Sequence, residues 1–286
     1  MGSSFSSIGH SMIRRAITSG GTSQPAWVPS DVNIRLWLDA DDSSIFTKSG
    51  STITGVSDKA SVHSFSVGGT PTIVTNGLNN RDVMDFSGSN EYIQSTSYYN
   101  TVVNGNHYAL GVFQYHNANS TSDSFWSIET NSFQKKDYSL SSGASNNTWP
   151  GELDLDGLSS NRISSTIGNA QQFNLQSMTA NVWYIISLWF NKSGNQIGCR
   201  INGSNAFTPV NDYDNGLSQN QQLRLMRNRA SQELDGRVAE IFFVGDIPGT
   251  SGTDLTNLEK GEGYLAHKWG LTGNLPSSHT YKSNAP

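Results

Sequence analysis

From Trp27 onward the chain alternates short apolar runs with clusters of Ser, Thr, Asn and Gly. Ile34-Arg35-Leu36-Trp37-Leu38 repeats with period two and stops at the acidic turn Asp39–Asp42, which predicts a strand followed by a turn. Runs at Tyr108–Tyr115, Phe125–Glu129, Trp183–Asn191, Gln196–Ile201, Leu223–Met226 and Val238–Val244 predict further strands. Their spacing and polar turns predict an antiparallel sandwich. Asn202-Gly203 is a strong hairpin signal, because both turn positions accept φ > 0. In the run Val238–Val244, strict alternation puts Val238, Glu240 and Phe242 on one face and Ala239, Ile241 and Phe243 on the other.

One segment changes period. From Asp254 to Lys268, Leu255, Leu258, Glu262 and Leu265, with Trp269 just beyond, fall on one side of a helix. Thr253 or Asp254 can cap its start, Gly270 stands where a C′ residue belongs, and Pro276 lies beyond. Gly261 and Gly263 weaken this helix by about 1 kcal/mol each relative to Ala, so packing of Leu265 and Trp269 must hold it. Residues 1–26 differ from the rest, being small, polar and Gly-rich with one apolar stripe of Ile8, Met12, Ile13, Ala16 and Ile17 beside Arg14 and Arg15. Two turns alone are too short for a stable helix in water. The segment reads either as a docking arm ordered by a partner or as a disordered tail.

Composition narrows the partners. Charged residues are 14% of 286 and the net charge is −5, so the chain lacks the basic footprint of a nucleic-acid binder. Ser, Thr, Asn and Gln must supply solubility. The single cysteine, Cys199, excludes an intrachain disulfide, and its place in IGCRI reads as a buried apolar thiol. No apolar run approaches the roughly 18 residues of a membrane span. The stretch MGSSFSSIGHSMIRRAITSGG has no apolar core of a secretory signal, so synthesis in a host cytoplasm and release by lysis is the expectation.

Five stretches carry a family resemblance: LWLDADDSSIF (36–46), VMDFSGSNEYI (83–93), NVWYIISLWFNKSGNQIGCRINGSNAF (181–207), DGRVAEIFFVG (235–245) and EGYLAHKWGLTGNLPSSHTY (262–281). Together they resemble the laminin-G/concanavalin-A-like lectin and glucanase sandwich domain of phage virion proteins and bacterial surface proteins. The resemblance implies an all-β, antiparallel jelly-roll sandwich over 27–286 with a C-terminal amphipathic helix, preceded by an extended arm over 1–26. It implies a non-catalytic structural protein of the virion surface, decorating a capsid or associated with a fibre or tail. The implied partners are other virion proteins through the arm (Ile8, Met12, Ile13, Ile17), surface polysaccharide, and further copies of the chain, with neither nucleic acid nor membrane. A fold of this kind also hosts glycoside hydrolases and surface lectins, which stand as alternatives.

The enzymatic lead is TWPGELDLDG (148–157), which resembles the carboxylate strand of laminarinase-type glycosidases. On a strand, Glu152, Asp154 and Asp156 share a face at about 6.5–7 Å intervals, suited to nucleophile, helper and acid/base. The family pattern favours Glu at the last place, so Asp156 leaves the acid short, and an acidic edge strand is the competing reading. For glycan stacking the candidates are the loop aromatics Tyr98, Tyr99, Trp149 and Tyr213. Calcium is the one cofactor with a candidate site: Asp39, Asp41 and Asp42 form one oxygen-rich turn and Asp212 and Asp214 another, although Asp and Asn are also ordinary turn formers. The six histidines are scattered, with no HExxH or i, i+4 pair to hold zinc, and His267 reads as a structural hydrogen-bonding residue.

Overall fold

The computed structural model describes residues 27–286 apart from 62, 98–106, 118–122, 131–135, 143–151, 159–170, 178, 192–195, 207–209, 212–220, 228–232 and 246–252. The strands are β1 (Ile34–Asp39), β2 (Phe46–Ser49), β3 (Thr52–Val56), β4 (Phe65–Gly68), β5 (Thr72–Leu78) and β6 (Arg81–Ser87). They continue as β7 (Tyr92–Ser95), β8 (His107–Asn117), β9 (Asp123–Thr130), β10 (Lys136–Ser142), β11 (Glu152–Leu158) and β12 (Gln171–Ser177). The last are β13 (Trp183–Asn191), β14 (Gln196–Ile201), β15 (Ser204–Asn205), β16 (Val210–Asn211), β17 (Gln221–Leu225) and β18 (Asp235–Gly245), followed by helix α1 (Thr253–Lys268).

These strands form two antiparallel sheets. The larger has eleven strands in the order β15-β14-β13-β8-β18-β6-β5-β3-β2, with β1 also on β18 and β16 on β14. The smaller has seven, in the order β12-β11-β10-β9-β17-β7-β4. The central strand β18 pairs with β8 along its length, while its other edge pairs with β6 at Asp235–Val238 and with β1 from Glu240 to Val244.

Leu36, Leu38, Phe86, Phe113, Leu188, Ile241 and Phe243 from the large sheet meet Phe125, Trp126, Leu223 and Leu225 from the small one. The Trp126 ring lies 5.4 Å from Phe113 and 6.4 Å from Phe243, centroid to centroid. On the opposite face of the large sheet, Trp27, Trp37, Leu110, Val112, Trp189, Phe242 and Val244 pack under Leu258, Tyr264, Leu265 and Trp269 of the helix segment. The described residues are therefore layered helix, large sheet, small sheet, and among them only the large sheet is covered on both sides.

The expected all-β sandwich with a C-terminal helix is what the chain forms, with two local corrections. The first is in β18. Its register slips between Val238 and Glu240, so Ala239 is the extra residue of a bulge, and its carbonyl accepts from the Ala40 amide at 3.0 Å. Val238 joins Ile241 and Phe243 in the inter-sheet core, while Ala239 joins Phe242 and Val244 beneath the helix. The second concerns Gly261: a Cβ there would lie 2.8 Å from Leu110 Cδ2, so glycine lets the helix settle onto β8 without displacing that methyl.

The predicted helix end is met. Gly270 has φ +70°, and the Leu271 amide donates to the Ala266 carbonyl at 2.7 Å, closing a Schellman cap over which Leu271 is buried. Asn202 and Gly203 both have positive φ, as the hairpin turn between β14 and β15 requires.

Candidate recognition face

Register across the small sheet sorts its residues into two rows. Val67, Ile93, Leu225, Trp126, Leu140, Leu155 and Phe173 stand opposite one another across all seven strands. Ile93, Leu225 and Trp126 in this row are fully buried in the inter-sheet core. One residue along, Ser66, Gln94, Arg224, Ser127, Ser139 and Asp156 form the neighbouring row. Because strand side chains alternate, Ser66, Gln94 and Arg224 of this second row belong to the face turned away from the core.

Where the side chains are described, they form a lateral network. Gln94 Nε2 donates to Gln222 Oε1 at 3.0 Å, and Arg224 Nε donates to Gln94 Oε1 at 3.1 Å. Arg224 Nη2 reaches Gln222 Oε1 at 3.3 Å, and Ser66 Oγ donates to the Gln94 carbonyl at 3.3 Å. Arg224 is buried although it belongs to the outward row, while Gln94 and Gln222 are half-buried and Ser66 is exposed. Side-chain amides and hydroxyls offer both donors and acceptors, the chemistry a polyol needs. Tyr92 belongs to the same face, but its ring lies against Gly68, where a Cβ would sit 2.1 Å from it. The Arg227 guanidinium stacks over the ring at 4.1 Å from the centroid. With these two contacts made, Tyr92 offers no free stacking platform.

Glu152, Asp154 and Asp156 all lie on β11. Asp154 stands opposite Ser141 and Asn174 in backbone register, and Asp156 opposite Ser139, with Glu152 two places before. Tyr98, Tyr99, Trp149, Tyr213, Asp212 and Asp214 lie outside the described residues, as do Ile8, Met12, Ile13 and Ile17 of the arm.

The acidic turn is organised by protein cations. Asp39 is the last residue of β1 and is buried, 2.7 Å from Lys268 Nζ and 2.9 Å from Lys59 Nζ. Asp41 pairs with Arg81, and Asp42 with Lys59 at 2.9 Å. Bonds from Ser44, then from Lys59, hold the Asp42 carboxyl at about 2. Burial opposes the Lys59 charge, but its bonds to Asp42 and Asp39 win and raise its pKa. The carboxylates proposed for calcium thus already face ammonium and guanidinium groups. Among the described residues, no group of three or more His, Cys, Asp or Glu is placed to hold a metal ion.

Two buried glutamates, which sequence reasoning did not single out, lock the helix to the large sheet. Glu240 of β18 accepts from Trp37 Nε1 at 2.7 Å and the Tyr264 hydroxyl at 3.0 Å on one oxygen. Its other oxygen accepts from Trp269 Nε1 and Lys268 Nζ, each at 2.8 Å. Burial pushes its carboxyl above the ordinary range, against the pull of Lys268. Glu262 of α1 receives Arg200 Nε and Ser187 Oγ at 2.9 Å and bonds His279 Nε2 at 3.0 Å. The signal for the first was a single charge inside the apolar run VAEIFFV. Cys199 is buried as expected, which pushes its thiol pKa up, and His267 Nε2 bonds the Tyr281 carbonyl at 2.9 Å.

Solved structures share this architecture. Domain 4 of AbnA, a GH43 extracellular arabinanase from Geobacillus stearothermophilus solved with arabinotriose, superposes with a TM-score of 0.54 at 13% identity, covering 79% of this chain and 98% of that one. Trypanosoma rangeli sialidase gives 0.53 at 10%, covering 82% of this chain and 33% of that one. The binding domain of botulinum neurotoxin DC, solved with rat synaptotagmin II, gives 0.50 at 12%, covering 74% of this chain and 48% of that one. The likeness is one of fold. This chain spans a third of the sialidase and about half of the neurotoxin domain, but almost the whole of the arabinanase domain. No family model matches the chain, and no curated protein matches it.

Proposed function

We propose that this chain is a non-catalytic recognition module that binds polysaccharide on the outward face of its seven-stranded sheet. The observation that carries this reading is the outward row Ser66–Gln94–Arg224, with Gln222 beside it, laid across adjacent strands opposite the core. Three of the four loop aromatics support it by position in the chain: Tyr98 and Tyr99 follow β7, and Trp149 precedes β11, both strands of this sheet. A polar sheet face with aromatic residues next to its strands in the chain suits a sugar chain, whose hydroxyls need amide partners and whose apolar faces need rings. The finer reading is display on a virion surface, with residues 1–26 as the attachment arm. The apolar stripe Ile8, Met12, Ile13 and Ile17 and the sparsely charged, Ser/Thr/Asn-rich composition support it.

The test is binding of purified protein to a glycan array, with a reducing-sugar assay on laminarin, agar and carrageenan alongside. Binding without cleavage is the expected outcome. The backbone register of Asp154 and Asp156 on β11 keeps a glycoside hydrolase as the second reading. Laminarin cleavage that is lost in Glu152→Gln would replace the first reading with the second.

A further inference from the structure

We propose that Lys268 and Asp39 condense into an intramolecular amide, an isopeptide bond joining the end of α1 to the end of β1, with Glu240 carrying the protons. Lys268 Nζ stands 2.7 Å from Asp39 Oδ1 and 2.8 Å from Glu240 Oε2. The three side chains are 8%, 5% and 0% exposed. An ordinary ion pair needs one carboxylate, whereas here two converge on one ammonium in a nearly dry site walled by Trp37, Tyr264 and Trp269. Each of the three groups has a distinct part in a condensation.

The ammonium must first lose a proton to become a nucleophile. Glu240 Oε2, 2.8 Å from Nζ, is in contact to take it. The raised proton affinity of Glu240 is consistent with that transfer. Passed on to Asp39, the proton converts a resonance-stabilised carboxylate into an attackable acid. Nζ then adds to the carboxyl carbon, and the developing negative charge on Oδ2 faces the Lys59 ammonium at 2.9 Å. Collapse breaks one C–O bond and releases water. Of the three ammonium protons, one stays on the amide nitrogen and two leave in the water, so Glu240 ends as it began. No oxidant or activating co-reactant is needed. The fold holds nucleophile and electrophile in contact, an arrangement worth effective concentrations of about 10⁵ M or more, and the scarcity of water at the site opposes hydrolysis.

The consequence is topological. The bond would close almost the whole domain into one covalent loop, which restricts the unfolded chain. It would also make permanent the seam between helix and large sheet.

Intact-mass spectrometry of the full chain, followed by tryptic mapping, tests this. The expected mass is lower than the sequence mass by one water. The expected digest contains residues 36–48 joined to 261–282, because trypsin cannot cut after an acylated Lys268. On a boiled denaturing gel the parent should migrate ahead of Lys268→Arg, which keeps the cation but cannot form the bond. Full sequence mass with separate 36–48 and 261–268 peptides overturns the proposal, as does a water loss mapped elsewhere. Glu240→Gln is expected at full mass, and a cross-linked Glu240→Gln would overturn the role given to Glu240. The parent digest decides the matter even if neither variant folds.

Discussion

On the eleven-stranded sheet, the residues turned away from the inter-sheet core are Trp37, Leu110, Phe242 and Val244, all buried under the helix segment. On the seven-stranded sheet the corresponding positions are Ser66, Gln94, Gln222 and Arg224. The first face is apolar with a few sunken charges, each held by several partners. The second is polar, and its described side chains bond one another along the face. Both follow the same period-two backbone rule, so what differs is what lies above. A helix supplies apolar cover and specific partners for Glu240 and Ser187, which lets the central strands be apolar on both sides. Where no helix of the described residues lies above, the sheet keeps a wettable face, and a wettable face is also one that can recognise a polar ligand.

The comparison can be broken most forcefully at Glu240. In Glu240→Ala the indoles of Trp37 and Trp269 and the Tyr264 hydroxyl lose their buried acceptor, and Lys268 keeps only Asp39 of its two carboxylate partners, so stability should fall by about 3–5 kcal/mol. Urea denaturation measures this, and a loss below about 1 kcal/mol would mean the helix is held by apolar contact alone. Gly261→Ala sharpens the same point by its sign. In a free helix the change stabilises by about 1 kcal/mol, but here the new methyl meets Leu110 and should destabilise by about 1–3 kcal/mol. Gly270→Ala should cost about 1 kcal/mol in the same assay, because φ is +70° there. On the other face, joint replacement of Gln94 and Gln222 by Ala takes two acceptors from the buried Arg224 guanidinium and should cost about 1 kcal/mol while reducing glycan binding.

The smallest expected effect is at Asp42. Its pKa in the folded chain, about 2, is below the ordinary 3.8, so its contribution is fully present above pH 3.8 and is lost as pH falls towards 2. Its bonds lie near the surface, where solvent screens them, so the loss is under about 1 kcal/mol. Comparing acid titrations of the parent and Asp42→Asn over that window checks it.

The two faces were not equally legible in the sequence. β1, β8, β13, β14 and α1 could be placed because long apolar runs with a clear period dominate there, and the Gly270 cap and Asn202-Gly203 turn follow from backbone chemistry alone. The bulge at Ala239 could not be read, since one inserted residue leaves no mark in a run apolar on both faces, and it inverted the expected side of Val238. Glu240 and Lys268 become partners only once β18 and α1 are packed together. Asp39, Asp41 and Asp42 looked like an open oxygen cluster because Lys59, Arg81 and Lys268 are remote in sequence. On the small sheet, Gln94 and Arg224 lie 130 positions apart, so their bond is a product of strand order.

The most direct test of the recognition face is a glycan array probed with the parent chain and with the Gln94→Ala, Gln222→Ala double variant, after cooperative thermal unfolding confirms that both are folded at the assay temperature. The account predicts that the parent retains one class of polysaccharide and that the double variant loses it. Equal binding by both chains, or no binding by the parent, would contradict the assignment of this face.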